Sequence, residues 1–293
     1  MEKIRKAPQP DLVDLHVHSS ASDGAFSPRE VVERAKAVGL RAIALTDHET
    51  MAGVPEALAA GREVGVEVVP GVEISAEFEG GACHVLGYYV DPADAALERA
   101  LSEARTAREK RNLDILQRLS GLGMPLTMEE VTRESEGGVV TRAHFAAALI
   151  VKGHVKSWEE AFDKYLARGK PAFVYRLRIE PVDAIRAIRA ARGLAVLAHP
   201  RQLNRSPSET DAWIERFARE GLDGVETRTP DHDANLGRRY HEAAARLGLL
   251  ETGGTDWHGR EDADIHLGLG RGSMAVHYDA VERMKRRLAA RRG

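Results

Sequence analysis

Between Leu12 and Val90 the chain alternates short apolar runs with amphipathic segments, and this rhythm constrains its fold more than any other feature. Leu12 to His16, Arg41 to Thr46, Val66 to Ser75 and Cys83 to Val90 read as strands. A helix is expected from Ser27-Pro28, with serine as cap and proline in the first turn, as far as Gly39. A second should run from Met51 to Arg62. Strands alternating with helices imply a mostly parallel sheet or barrel with helices outside it.

From about Ala93 to Lys170 the alternation stops. Four helical patterns follow one another over 93–120, 127–136, 141–152 and 157–167, with no convincing strand between them. They read as a helical insertion or cap. The rhythm then resumes with a helix near 181–191, a strand Leu194 to Ala198, a helix 209–219 and a strand Gly221 to Glu226. A helix 233–247 and a strand Leu249 to Gly253 complete it. The expected class is α/β, divided into a first barrel part 11–95, an insertion 96–176 and a second barrel part 177–293.

The chain of 293 residues carries a formal net charge of −3, so no global positive field draws in long nucleic acid. A small phosphorylated substrate needs only a local cluster of cations. The basic runs at the ends, Lys3 to Lys6 and Lys285 to Arg292, read as solvated termini. Cys83 is the single cysteine, which excludes an internal disulfide and a cysteine-rich zinc site. With no signal-peptide pattern and no apolar run of bilayer length, a cytoplasmic protein without membrane contact is expected.

Histidines and acids gather where the strands end. His16 and His18 close the first strand, with Asp23 in the loop after it. Asp47 and His48 follow the second, Glu73 lies late in the third, and His84 lies in the fourth. His199 ends the strand from Leu194, and Asp256 and His258 follow the last. In α/β barrels the carboxyl ends of the strands form the active face. In His16-Val17-His18 the two-residue spacing points both imidazoles to one side of a strand, where they can share an ion. Imidazole with carboxylate suits manganese, zinc or iron. Nine candidate ligands exceed the needs of one ion, so two or three divalent ions are expected, manganese first, with Glu73 suited to bridge two.

With these residues assembled, the chain resembles the PHP (polymerase and histidinol phosphatase) superfamily. The resemblance rests on Asp14-Leu-His-Val-His-Ser19, Thr46-Asp-His48, His199-Pro200 and Gly254-Thr-Asp-Trp-His258. It implies a distorted (β/α)7 barrel with a trinuclear metal site. His16, His18, Glu73 and Asp256 would hold one ion, Glu73, His84 and His199 a second, and Asp23, His48 and His258 a third. Within the superfamily, Val72-Glu-Ile-Ser75, Thr141-Arg-x-His144, Gly169-Lys-Pro171 and Leu249-Leu-x-Thr-Gly-Gly-Thr-Asp256 resemble the 3′,5′-nucleoside bisphosphate phosphatases, a branch that also trims short RNA from its 5′ end. Trp257 and Arg176 depart from that branch's phrases, which bears on substrate detail.

The implied activity is hydrolysis of a phosphate monoester of a 3′,5′-bisphosphonucleotide, with 5′-to-3′ exonuclease action on a short oligonucleotide beside it, by a metal-bound hydroxide held near Glu73 and Asp256. Asp14 and Asp47 are expected to orient a neighbouring histidine or the backbone. Ser19, Ser20 and Ser22 are expected to be loop hydrogen-bonders. Arg142, His144, Lys170, His232 and Arg201, with Arg176, are the candidates for substrate phosphate. Trp158 and Trp213 read as packing residues, and Trp257 as a wall of the cleft. Histidinol-phosphate phosphatase is the nearest alternative. A urease-like amidohydrolase would carry a modified lysine where Glu73 stands. A non-catalytic metal-binding module is the alternative of a different class.

Overall fold

The computed structural model describes residues 11–78, 81–135, 140–174, 179–259, 264–272 and 274–292. They form two compact units, residues 1–101 with 179–293, and residues 102–178.

The first unit is an eight-stranded sheet rolled towards closure. In chain order its elements begin with β1 (Leu12–Val17), α1 (Pro28–Ala37), β2 (Ala42–Leu45), α2 (Val54–Val64), β3 (Glu67–Phe78) and β4 (Gly81–Tyr88). α3 (Ala95–Gly121) starts in this unit and continues into the other. After the second unit come α7 (Pro181–Ala190), β5 (Leu194–Leu197), α8 (Pro207–Arg219), β6 (Gly224–Arg228), α9 (Ala234–Leu247), β7 (Leu250–Gly253), β8 (Val276–His277) and α10 (Asp279–Arg292). The second unit holds α4 (Met128–Glu134), α5 (Arg142–Val151) and α6 (Trp158–Ala161), which runs into a π-helical turn at Phe162–Leu166.

The strand order is β7-β6-β5-β4-β3-β2-β1-β8. β1, β2 and β3 are mutually parallel, as are β5, β6 and β7. β4 runs against both neighbours. Beyond the end of β7 the ring draws together, with Val17 bridging to Trp257 and the His18 amide donating to the Trp257 carbonyl at 2.9 Å. The seven long strands form the barrel expected from the resemblance, and the two-residue β8 adds an antiparallel step on β1.

Side chains alternate across each strand. One set, including Ile43, Leu45, Ile74, Leu197 and Val225, packs against the helices outside. The other set, including Leu15, Ala44, Leu86, Val196 and Leu250, fills the interior with Val281, Met284 and Leu288 of α10. The C-terminal run is therefore a helix seated on the barrel core, which corrects the expectation of a solvated terminus. The stripe at 281, 284 and 288 has helical spacing, and each large apolar side chain contributes about 1.5–3 kcal/mol on burial. The abundant Lys and Arg of that segment occupy the other face.

Local chemistry sets the helix starts. Ser27 caps α1 and Ser206 caps α8, each in a capping box with the glutamate three residues on. In the second unit, Ile115, Leu119, Val131, Phe145, Leu149 and Leu166 form a separate core. Trp158 departs from the packing role expected of it: it is 45% exposed and stacks on Phe162 with ring centroids 6.4 Å apart. Trp213 does pack, against Phe78 and Phe217.

Candidate metal centre

The reversal of β4 decides how the site is assembled. His84 lies near the start of its strand, which in a parallel strand would put it at the far end of the barrel. Because β4 is antiparallel, His84 pairs with Ser75 and stands beside Glu73 at the carboxyl end of β3. His84, like His16 and Glu73, lies within a strand, and it reaches the same face as the candidates in the loops.

Glu73 is fully buried and surrounded by five imidazoles. Its Oε1 lies 2.8 Å from His84 Nδ1, 3.1 Å from His199 Nε2 and 3.3 Å from His16 Nε2. Its Oε2 lies 3.1 Å from His48 Nδ1 and 3.3 Å from His18 Nε2. Asp256 Oδ1 approaches His18 Nε2 at 3.1 Å and His16 Nε2 at 3.3 Å. Asp23 faces His258 Nε2 at 3.2 Å and His18 Nδ1 at 3.5 Å.

Despite these distances, His16 Nε2, both ring nitrogens of His18, His48 Nδ1, Glu73 Oε2 and Asp256 Oδ1 are buried without a hydrogen-bond partner. Orphaned buried polar atoms are costly and rare. Here they converge on shared points rather than bonding one another, as metal donors do. Three groupings have ligand atoms within 4.8 Å: His16, His18, Glu73 and Asp256; His18, Asp23, His48 and His258; and His48, Glu73 and His84. The first is the set expected for one ion. In the others His18 and His48 are shared, and His199 stands at the edge on Glu73. The donor set is all imidazole and carboxylate, which fits hard to borderline divalent ions.

The charges are mutually dependent. Burial opposes protonation of His16, but Glu73, Glu226 and Asp256 outweigh it and raise its pKa well above the ordinary value. Burial would raise the Glu73 carboxyl, yet His84, His48 and His16 hold it well below its ordinary range. His48 goes the other way: burial, against Glu73 and Asp23, lowers it to about 3.

Backbone shape supports the cluster. His199 and Asp256 adopt positive φ, 25° and 55°, in the region that non-glycine residues rarely occupy. Asp47 accepts the Ser19 amide at 2.8 Å, the Ser19 hydroxyl at 2.7 Å and the Ser22 hydroxyl at 2.6 Å, pinning the loop after His18. Asp14 accepts the Thr255 amide at 2.9 Å and hydroxyl at 2.5 Å, and the Gly268 amide at 2.8 Å. It ties β1 to the segment carrying Asp256. Trp257 stacks on Phe26, ring centroids 5.7 Å apart, beside these residues.

The cation candidates are dispersed. His232 and Arg201 belong to the barrel unit. Arg201 donates to the Asp231 carbonyl at 2.9 Å, so it braces the loop carrying His232. His232 rests 3.3 Å from the Thr227 carbonyl through Nδ1, with Nε2 buried and unpartnered. Arg142, His144 and Lys170 belong to the second unit. Arg142 lies over the Phe173 ring, and burial lowers its pKa. His144 Nδ1 accepts the Thr141 amide at 3.0 Å at the start of α5. Arg176 lies outside the described residues.

Glu226 is the site residue that sequence reasoning missed. It is fully buried in the middle of β6 and faces His16 Nδ1 with both oxygens. Its place at the end of the expected strand was the available signal, but it stands in no recognisable motif.

A barrel with an imidazole–carboxylate cluster at its strand ends defines a metal-dependent hydrolase. The chain matches the PHP domain over residues 14–167 and belongs to that family, and it is a metal-dependent phosphoesterase. It is 37% identical over 245 residues to a 5′-3′ exoribonuclease of Haemophilus influenzae, covering 84% of this chain and 89% of that protein. It is 34% identical over 247 residues to a 3′,5′-nucleoside bisphosphate phosphatase of Chromobacterium violaceum, covering 84% and 87%. A Bifidobacterium adolescentis structure described as a metal-dependent phosphoesterase superposes with a TM-score of 0.75 at 31% identity, covering 96% and 97%. Among the described residues no helix is long and apolar enough to cross a membrane.

Proposed function

We propose that this phosphoesterase removes a phosphate from nucleoside 3′,5′-bisphosphates and trims short RNA from the 5′ end. The observation that carries the reading is the cluster of five histidines on Glu73, with donor atoms left unpaired around it. The similarity to a nucleoside bisphosphate phosphatase and an exoribonuclease over most of the chain supports the substrate class.

His16, His18, Glu73 and Asp256 would hold one ion; Glu73, His84, His199 and His48 would serve a second; Asp23, His48, His258 and His18 a third. Manganese is the ion we favour, with zinc or iron as alternatives, and the cytoplasm is the compartment. Divalent ions at such a site supply Lewis acidity and a nucleophile at neutral pH. The chain's own part is to aim the donors. Glu226 takes the Nδ1 proton of His16, so Nε2 is turned to the cluster. Asp47 fixes the loop that carries Asp23, and Asp14 fixes the turn that carries Asp256. His232, Arg201, Arg142, His144 and Lys170 are proposed to meet the substrate's phosphate charge.

The test is phosphate release from adenosine 3′,5′-bisphosphate with manganese, with Asp256→Asn as the control. Histidinol phosphate and a 5′-phosphorylated dinucleotide run in parallel. Preference for the bisphosphate supports the reading, and preference for histidinol phosphate replaces it. No release from any phosphate ester with metal bound sinks the catalytic assignment.

A further inference from the structure

Beside the loop that follows β6 lies a groove of about 730 Å3, outside the metal centre. Glu226 faces inward to His16, whereas its neighbour Thr227 lines the groove, because successive strand residues point to opposite faces. The same segment therefore forms a wall of each site.

Three arginines reach the groove from separate parts of the chain: Arg228 at the end of β6, Arg238 on α9 and Arg271 ahead of β8. Its acids are already engaged. Glu251 lies with both oxygens 2.9 Å from His241 Nδ1, and Asp233 caps α9 by accepting the Asn235 and Leu236 amides at 2.9 Å. The guanidiniums are not neutralised to match. Arg238 donates to the Asn235 side chain, and Arg271 is 3.5 Å from the exposed Asp264. Arg228 has no partner among the described residues. Thr229, 5% exposed, also lines the groove, and its hydroxyl is buried without a partner. A chain of net charge −3 has thus gathered three arginines in one concavity, Arg228 without a partner among the described residues and Arg271 held only by the exposed Asp264.

We infer that this groove binds the phosphodiester backbone of single-stranded RNA, holding nucleotides beyond the one at the metal centre. The inference rests on the RNA-trimming part of the function proposed above. Guanidinium forks suit successive phosphates, which carry one charge per nucleotide and need no base recognition. A strand whose 5′ end lies among the histidines would pass over the loop at Thr227–His232 to reach the arginines. A mononucleotide bisphosphate is too short to use both sites.

The test compares the manganese-loaded wild type with the double variant Arg228→Gln/Arg271→Gln, whose replaced side chains are both exposed. The probe is a 5′-phosphorylated, phosphorothioate-linked RNA pentanucleotide, titrated across a salt series. Losing two phosphate contacts should weaken its binding about tenfold at low salt and flatten the slope of log affinity against log salt by about 1.4. Turnover of adenosine 3′,5′-bisphosphate should stay within twofold. Unchanged pentanucleotide affinity and slope overturn the inference, as do equal losses for the bisphosphate, which would place the arginines at the metal centre. Failure of the wild type to bind the pentanucleotide overturns it too, even if the bisphosphate is hydrolysed. Arginine-dependent RNA binding without hydrolysis of any ester would uphold the groove and remove the catalytic reading instead.

Discussion

Glu226 places both carboxylate oxygens 3.3 Å from Nδ1 of His16 and accepts the amide hydrogen of His199 at 2.8 Å. One buried carboxylate thus sets the ring orientation of one donor and the backbone position of another. Partners of this kind fix the tautomer of a ligating histidine, and their loss costs about 10–100-fold in metal affinity. Glu226→Gln is expected to weaken manganese binding by that factor while leaving the fold intact. Calorimetric titration of the metal-free protein measures the affinity, and circular dichroism checks the fold. Wild-type affinity in a folded variant would remove Glu226 from any positioning role.

Much of this arrangement is written locally in the chain, and part of it is not. Alternating apolar strands and capped helices made the barrel legible, because each element carries its own periodicity. The direction of β4 carries no such mark: an antiparallel strand and a parallel one share the same alternation, so the reason His84 meets Glu73 appears only in the register. Val281, Met284 and Leu288 were hidden beside and among the six basic residues from Arg283 to Arg292, where charge density suggested solvent. Glu226 was hidden differently. A single acid at the end of an expected strand is common, and its meaning depends on His16, 210 positions away in the chain.

His18 should release a proton when metal binds. Burial alone would favour its neutral form, but the carboxylates of Asp256, Glu73 and Asp23 outweigh burial and push it up to about 10 in the metal-free protein. A ligating imidazole must be neutral, so near pH 7.5 metal binding displaces that proton, and affinity climbs with pH towards 10. The stability contribution has the opposite sense. With the folded pKa raised above the unfolded value of about 6.5, stabilisation of the metal-free protein is full below that value and lost as pH rises through about 10. Titration calorimetry in two buffers of different ionisation enthalpy counts the protons. Identical heats in both buffers would contradict the charge state assigned to His18.

Gly254 is predicted to be irreplaceable even by alanine. A Cβ there would overlap the backbone nitrogen and the Cβ of His16. Neither atom is the free end of a flexible side chain, so β1 or the Thr255–Asp256 turn would have to move. Misplacing a ligand by a fraction of an ångström weakens coordination, because imidazole and carboxylate must sit at about 2.0–2.2 Å from the ion. Gly254→Ala should lose more than about tenfold in metal affinity, with the folded state also destabilised by about 1–3 kcal/mol from overpacking. Gly121→Ala is the control, since nothing lies within 4 Å of its added carbon. Equal behaviour of the two variants would refute the steric argument.

Asp14 bears on stability more than on coordination. Its buried carboxylate receives the Thr255 amide and hydroxyl, the Gly268 amide and, at 3.3 Å, the His16 amide. Burial raises its pKa and these donors oppose that rise. Replacing it with alanine strands several buried donors at about 1–3 kcal/mol each, so Asp14→Ala should cost at least about 3 kcal/mol. For a chain of this size that corresponds to a fall in Tm of roughly 6–12 °C. Asp14→Asn retains one acceptor oxygen and should lose less. Differential scanning calorimetry of the metal-free proteins separates this effect from metal binding. A shift below about 2 °C for the alanine variant would mean that the Thr255 and Gly268 donors find other partners and that Asp14 does not hold β1 to the Asp256 turn.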